Sequence, residues 1–115
     1  MTERQIEILL PFIYRMPLYL GKESKENITV FMHGFESGSD SKYWTETLRN
    51  LLFEKYEIER VNSGWPYEIG VYAERESTSW IEAFKKLMIE IIMSSESYNP
   101  KLKELHELLK EWKNS

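Results

Sequence analysis

His33 and His106 are the two histidines of the chain, and they are its best candidates for acid–base chemistry near neutral pH. Glu36 and Asp40 follow His33 closely, so these three side chains could be drawn as a general base, an acid and an orienting group. Nothing in the sequence identifies the nucleophile or the oxyanion hole that such a site also needs. We therefore interpret His33 as a packed or surface histidine, with the catalytic arrangement as the open alternative.

The sequence offers few ligands for a metal ion or a phosphate group. Neither histidine has a second ligand four residues further on, as a helical zinc site would require. Cysteine is absent, which excludes thiolate metal sites, disulfides and a cysteine nucleophile, and which suits a reducing compartment. The spacing of the glycines matches no phosphate-binding loop. We predict a protein that is not an enzyme and that carries no metal and no cofactor.

The charge of the chain favours a basic protein partner over nucleic acid. The sequence has 15 Lys and Arg residues against 19 Asp and Glu residues, a net charge of −4, so it lacks the basic footprint that a phosphate backbone requires. The amino terminus, MTERQIEILL, has acidic residues and no cleavage site of a secretory signal. No apolar run approaches the roughly 20 residues that span a bilayer. We expect a cytoplasmic protein that binds neither nucleic acid nor membrane.

The elements that would position these side chains are helices within one domain, residues 1–115. Apolar residues recur at helical spacing in the ranges 3–15 and 24–38. Pro11 predicts either a kink in the first helix or a short helix that restarts after Leu10, and Ser24 is the expected cap of the second. Asp40 or Ser41 is the expected cap of a third helix that ends at Tyr56. The pattern predicts consecutive helices joined by short polar connections.

Two further helices follow in the second half of the chain. Ser79 and Glu82 have the spacing of a capping box, and Asn99 with Pro100 predicts the start of the last helix. The helix after Ser79 has the broadest apolar face and is the predicted centre of the core; this face consists of Trp80, Ile81, Phe84, Leu87, Met88, Ile91 and Ile92.

Residues 57–76 interrupt the helical pattern. Gly64, Pro66 and Gly70 fall within this stretch, and the letters EIGVYA alternate weakly, as in a short strand. Irregular stretches in small domains are often functional, although a plain connection between two helices is the alternative interpretation. The predicted fold is all-α, a single domain of about five helices, with a short β segment or an irregular stretch around 57–76.

One further motif precedes the second helix. The run RMPLYLG, Arg15 to Gly21, is followed by FMHGFESG, Phe31 to Gly38, and then by a tryptophan in the next helix. This arrangement resembles the R-P-x-M-Y-L-G … F-x-x-G-Y/F-x-x-G pattern of small acidic bacterial immunity proteins from contact-dependent growth inhibition and polymorphic toxin systems. The chain has Met-Pro-Leu where that family has Pro-x-Met, and the resemblance covers roughly residues 12–95.

The resemblance implies an immunity protein that binds and neutralises the C-terminal domain of a cognate toxin, a basic nuclease acting on RNA or tRNA. The motif would then be architectural: Pro17 keeps Met16 extended, residues 18–20 seal the gap between the first two helices, Gly21 turns the chain, and Gly34 permits a close helix approach. Its residues are Arg15, Pro17, Tyr19, Gly21 and Gly34. The partner-binding candidates are Glu36, Asp40, Glu46, Trp65, Tyr67, Glu68, Tyr72, Glu74 and Glu76.

A second function of another class stays open. A small regulatory or adaptor protein could use the same acidic and aromatic surface to dock a protein partner, since large exposed rings are common at interfaces. Each candidate contact could also be an ordinary solvated surface residue. An upstream reading frame that encodes a basic toxin-like domain would distinguish the immunity protein from the adaptor.

Overall fold

The computed structural model describes residues 1–38 and 43–114, which contain seven helices and the segments that connect them. The helices are α1 (Glu3–Tyr14), α2 (Met16–Leu20), α3 (Lys25–Gly38), α4 (Tyr43–Tyr56), α5 (Trp65–Arg75), α6 (Trp80–Met93) and α7 (Pro100–Asn114). These residues contain no strand. The predicted all-α class is confirmed, with more helices than the five expected.

Side-chain caps fix the starts of several helices. The Ser24 and Ser79 hydroxyls accept hydrogen bonds from the backbone N–H groups three residues on, at 3.1 Å in both cases, and Asn99 Oδ1 accepts one from Leu102 at 3.0 Å. These three predicted caps are confirmed. The predicted cap at Asp40 or Ser41 lies outside the described residues. At Ser79 only the serine half of the predicted capping box is seen, whereas a complete capping box that was not predicted joins Thr2 and Gln5 at the start of α1.

Helix α6 lies at the centre of the molecule, as its apolar face predicted. It packs against α4, α5 and α1, and α1 also packs against α2 and α7. Phe84, Leu87 and Met88 are fully buried. Burying this much apolar surface is the main stabilising term of such a domain. The predicted stripe of α1 is buried as well, and Phe12 stacks on Phe31 of α3 at a centroid distance of 3.8 Å.

The prediction for residues 57–76 was wrong over its second half. Helix α5 occupies Trp65–Arg75, so EIGVYA is helical and the segment at 57–64 is the non-helical part. Pro66 stands in the first turn of α5, where its missing N–H is not needed, and Gly64 (φ 85°) forms the bend before the helix. Glycine and proline therefore mark the start of a helix here. The buried side chains of α5 include Trp65, Ile69, Tyr72 and Ala73, which is helical spacing.

The stretch from Arg15 to Gly21 is also more helical than predicted. Met16 is buried as the first residue of α2 and is not extended, and Pro17 is tolerated in the first helical turn, where its missing N–H is not needed. Gly21 (φ 73°) ends α2 and donates its N–H to Pro17 O at 2.8 Å, which confirms the predicted turn. Leu18 is 77% exposed and seals nothing.

Two further residues of this motif have different surroundings. Tyr19 is 49% exposed and packs edge-on against Phe12 and Phe31, with centroid distances of 5.7 and 6.2 Å. It thus covers part of the junction between α1 and α3. A Cβ added to Gly34 would meet no atom within 4 Å. The predicted close helix approach at Gly34 is therefore wrong. None of the helices in the described ranges is long and apolar enough to cross a membrane.

Candidate protein-interaction site

An ion pair between Arg49 of α4 and Glu68 of α5 organises one side of the molecule. Arg49 donates from Nε to Glu68 Oε1 at 3.0 Å and from Nη2 to Oε2 at 2.7 Å, a bidentate geometry. The Glu68 side chain is 1% exposed and that of Arg49 is 21% exposed. The hydrogen bond to Glu68 is the main reason why the pKa of Arg49 is raised. This hydrogen bond therefore favours the charged form of Arg49.

The same ion pair also holds the segment at 57–64. The Val61 N–H donates to Glu68 Oε2 at 3.0 Å, and Arg49 Nη2 donates to the Val61 carbonyl at 3.1 Å. Four hydrogen bonds therefore connect α4, α5 and the segment between them. We call this arrangement of Arg49, Glu68 and the Val61 backbone the clasp. Glu68 was predicted to contact a partner; its burial and its pairing with Arg49 give it a structural role instead.

The other basic side chains between positions 49 and 75 are also engaged. Arg60 Nη2 pairs with Glu46 at 3.1 Å, Lys55 pairs with Glu90 at 3.1 Å, and Arg75 Nη1 donates to the Tyr56 carbonyl at 2.7 Å. Glu46, which was predicted to contact a partner, thus already faces a cation on an exposed part of the surface. Three of the four cations are thus paired with carboxylates, and Arg75, bonded to a neutral carbonyl, is the one whose charge is left unpaired among the described residues.

The exposed carboxylates of this region lack such partners. Among the described residues, none of these side chains forms an ion pair or a side-chain hydrogen bond, and all of them are exposed: Glu54, Glu57, Glu59, Glu74 and Glu76. Neighbouring carboxylates of one sign raise a local negative potential that attracts cationic molecules. Exposed Glu74 and Glu76 are compatible with the contact role predicted for them, which stays a prediction.

An open groove lies between the segment at 57–61 and α5. It has a volume of about 400 Å³ and is lined by Glu57, Ile58, Glu59, Val61, Tyr67, Val71 and Arg75. Ile58 is 2% exposed and lies at its base, whereas Tyr67 is 55% exposed and projects into solvent. We call this feature the acidic groove. It combines apolar walls, one open aromatic ring and two unpaired carboxylates.

The aromatic rings predicted beside Tyr67 do not reach the surface. Trp65 is 5% exposed and packs edge-on against Trp44 at 5.0 Å, and Tyr72 is 1% exposed and packs against Tyr56 at 4.9 Å. Both belong to the core, because the helical period of α5 turns them inward. Their predicted role as partner contacts is wrong. Tyr67, two positions after Trp65, lies on the outer face of the same helix and stays a candidate.

Glu36 and Asp40 are the remaining candidates, and of these the structure describes only Glu36, near the end of α3. Glu36 Oε2 accepts a hydrogen bond from Thr45 Oγ1 at 2.9 Å and is half-buried, so it links the two helices. Asp40 lies outside the described residues. Glu57 and Glu59 were missed as site residues. Their signal was local: two acids flank a buried isoleucine directly after the end of α4.

The two histidines differ sharply in environment. His33 is exposed, and its ring lies edge-on to Trp65 at 6.2 Å. His106 is fully buried, with Nε2 2.8 Å from the Tyr14 hydroxyl and Nδ1 2.8 Å from the Tyr98 hydroxyl. Burial lowers the pKa of His106 and raises the pKa of Tyr14 and Tyr98. His106 therefore connects α1, α7 and the turn before α7. Within residues 1–38 and 43–114, no group of three His, Asp or Glu side chains could hold a metal ion.

Comparison with known proteins adds no relative to this picture. No protein-family model matches the chain, and neither a curated protein nor a solved structure matches it. The family resemblance of the motif at 15–38 thus stays an expectation from the sequence. The charge distribution and the geometry around the acidic groove are the remaining basis for a function.

Proposed function

We propose that this chain is a cytoplasmic immunity protein that binds and neutralises a basic toxin domain, which is a nuclease acting on RNA. In this proposal the protein has no catalytic activity, metal or cofactor of its own. The observation that carries this proposal is the unequal pairing of charges between positions 49 and 76. Three of the four basic side chains there pair with a carboxylate and the fourth, Arg75, is bonded to a backbone carbonyl, whereas five exposed glutamates have no cationic partner among the described residues.

A nuclease is the partner class that this surface fits best. An enzyme that binds a phosphate backbone must present clustered Lys and Arg side chains, because those neutralise the phosphates. An acidic protein competes for the same cationic cleft and approaches it quickly, since opposite potentials steer the encounter. The net charge of −4 has the sign that this competition requires.

The motif that carries the family resemblance fits a scaffold role in this proposal. Met16 is fully buried, Gly21 has the positive φ that ends α2, and Tyr19 packs on the rings of α1 and α3. These residues shape the junction of three helices on a part of the chain that contributes nothing to the acidic groove. Such a division leaves the partner choice to the surface around α5.

A binding and protection experiment tests the proposal. The probe is the C-terminal domain encoded directly upstream of the gene for this chain, purified for binding and expressed in a host cell for protection. We expect a complex whose affinity falls steeply between 50 and 200 mM salt, and survival of cells that express both proteins.

Two outcomes would overturn the proposal. Absence of both complex and protection would refute it. A complex whose affinity ignores salt would instead show that the partner is recognised by shape and apolar contact; Leu18 and Val30, 77% and 71% exposed, are the side chains best suited to that mode.

A further inference from the structure

We infer that the acidic groove binds an arginine side chain of the partner protein. The identity of the partner as a toxin rests on the proposed function, whereas the recognition of arginine rests on the groove itself. The inference extends the proposal from general charge attraction to one pocket and one side-chain type. It assigns a binding role to Glu57 and Glu59, which the sequence patterns did not single out.

The lining of the groove matches the three parts of an arginine side chain. Val61 and Val71 offer apolar surface to the methylene stem. The half-exposed ring of Tyr67 offers a face on which the flat guanidinium can stack. Glu57 and Glu59 supply carboxylate oxygens for its forked N–H donors. Lysine would satisfy the charge but not the stacking or the fork, so arginine is the expected ligand.

Arg75 is the basic residue of the groove, and its guanidinium is not paired with Glu57 or Glu59. Arg75 lines the groove, but its Nη1 donates to the Tyr56 carbonyl at 2.7 Å. Neither Glu57 nor Glu59 forms an ion pair with any described residue. The Arg75 charge stays in the groove, but it pairs with neither glutamate, so a cation from another molecule meets two unpaired carboxylates against one guanidinium.

The two carboxylates stand on backbone that is fixed before binding. The Ile58 N–H donates to the Leu52 carbonyl at 2.9 Å, and both backbone groups of Val61 are held by the clasp. Glu57 and Glu59 lie between or next to these anchors. A binding surface that is already ordered loses less entropy when a ligand binds, which raises affinity for a given set of contacts.

A peptide titration tests the groove without any toxin. The probe is an acetylated, amidated Gly-Arg-Gly peptide, and the control probe carries citrulline, the neutral analogue of arginine, in its place. The readout is the amide chemical shifts of the isotope-labelled full chain at low salt. We expect saturating shifts at residues 57–61 and around Tyr67 with a Kd on the order of 1 mM, and at least fivefold weaker binding of the citrulline peptide. Equal binding of both peptides, or shifts confined to other surfaces, would overturn the inference.

Paired variants supply the control for charge alone. Glu57→Gln with Glu59→Gln should weaken arginine binding at least fivefold. Glu104→Gln with Glu111→Gln removes the same charge from exposed positions of α7 and should change it less than twofold. An equal loss from both pairs would refute a specific pocket.

The same variants separate the inference from the proposed function. If the upstream domain binds the natural chain and the Glu57/Glu59 variant equally well, the immunity role stands and the groove inference fails. If the peptide results hold but the upstream domain neither binds nor is neutralised, the groove inference stands and the toxin assignment fails.

Discussion

Breaking the clasp should destabilise the whole domain. In Glu68→Ala, Arg49 loses two hydrogen bonds and its counter-charge, and the Val61 N–H loses its acceptor. A charge that is left without its partner in a buried site is costly because neither water nor protein solvates it well. The segment at 57–64 should therefore loosen from α4 and α5 in this variant.

The size of this effect follows from the burial of the two partners. Removing one member of a buried ion pair costs about 3–5 kcal/mol. Glu68 is 1% exposed, but Arg49 keeps 21% exposure and can reach water, so we expect the lower end, about 3 kcal/mol. For a domain of this size, that corresponds to a fall in Tm on the order of 10 °C.

Denaturant unfolding with a double-mutant cycle measures this prediction. Glu46→Ala is the matched control, because it breaks the exposed pair with Arg60 and should cost at most about 1 kcal/mol. Arg49→Met combined with Glu68→Leu should cost less than the sum of the two single changes by at least about 1 kcal/mol, since neither charge is then stranded. Additive single effects, or a loss below about 1 kcal/mol for Glu68→Ala, would refute the clasp as a stabilising unit.

Four other changes have defined expectations. Phe84→Ala or Ile91→Ala should each cost roughly 2–5 kcal/mol in chemical denaturation, because α6 is central to the core; losses below about 0.5 kcal/mol for both would contradict that placement. Burial lowers the pKa of His106 below its ordinary 6.5, so the unfolded chain binds the proton more tightly and the free energy of unfolding should fall as pH drops below about 6.5. His106→Gln should remove this pH dependence of stability, and an unchanged pH dependence would assign it to other groups. His33→Ala should leave toxin protection and stability intact, whereas lost protection with normal folding and binding would favour the enzyme interpretation. Ser77→Gly should stabilise by up to about 1 kcal/mol, because Ser77 has φ 53° at the end of α5; a lower Tm would show that the left-handed backbone carries no strain there.

The helices of this fold were predictable where the signal was local. The stripes of α1 and α6 and the caps at Ser24, Ser79 and Asn99 depend on residues within one or two turns of each other. Residues 65–75 were not predicted as a helix, because Gly64, Pro66 and Gly70 were interpreted as helix breakers although the apolar residues around them have helical spacing. The same residue types that break helices also start them.

The candidate site was less predictable, because its key contacts are distant in sequence. Glu68 resembles any other glutamate until Arg49, 19 positions earlier, is placed beside it. His106 likewise meets Tyr14, 92 positions away. Charge composition predicted an acidic surface near α5, but only the assembled helices show which carboxylates are used internally and which remain open.

The manner in which the clasp holds Val61 has a consequence for how the recognition surface can diversify. It grips the peptide N–H and carbonyl at that position and not a side chain, and every amino acid except proline presents both groups. Substitutions at positions 57 and 59 therefore leave the attachment of the segment intact. Under the proposed arginine-binding role, the specificity of the groove would change one residue at a time at these two positions, while Arg49 and Glu68 keep the segment in place.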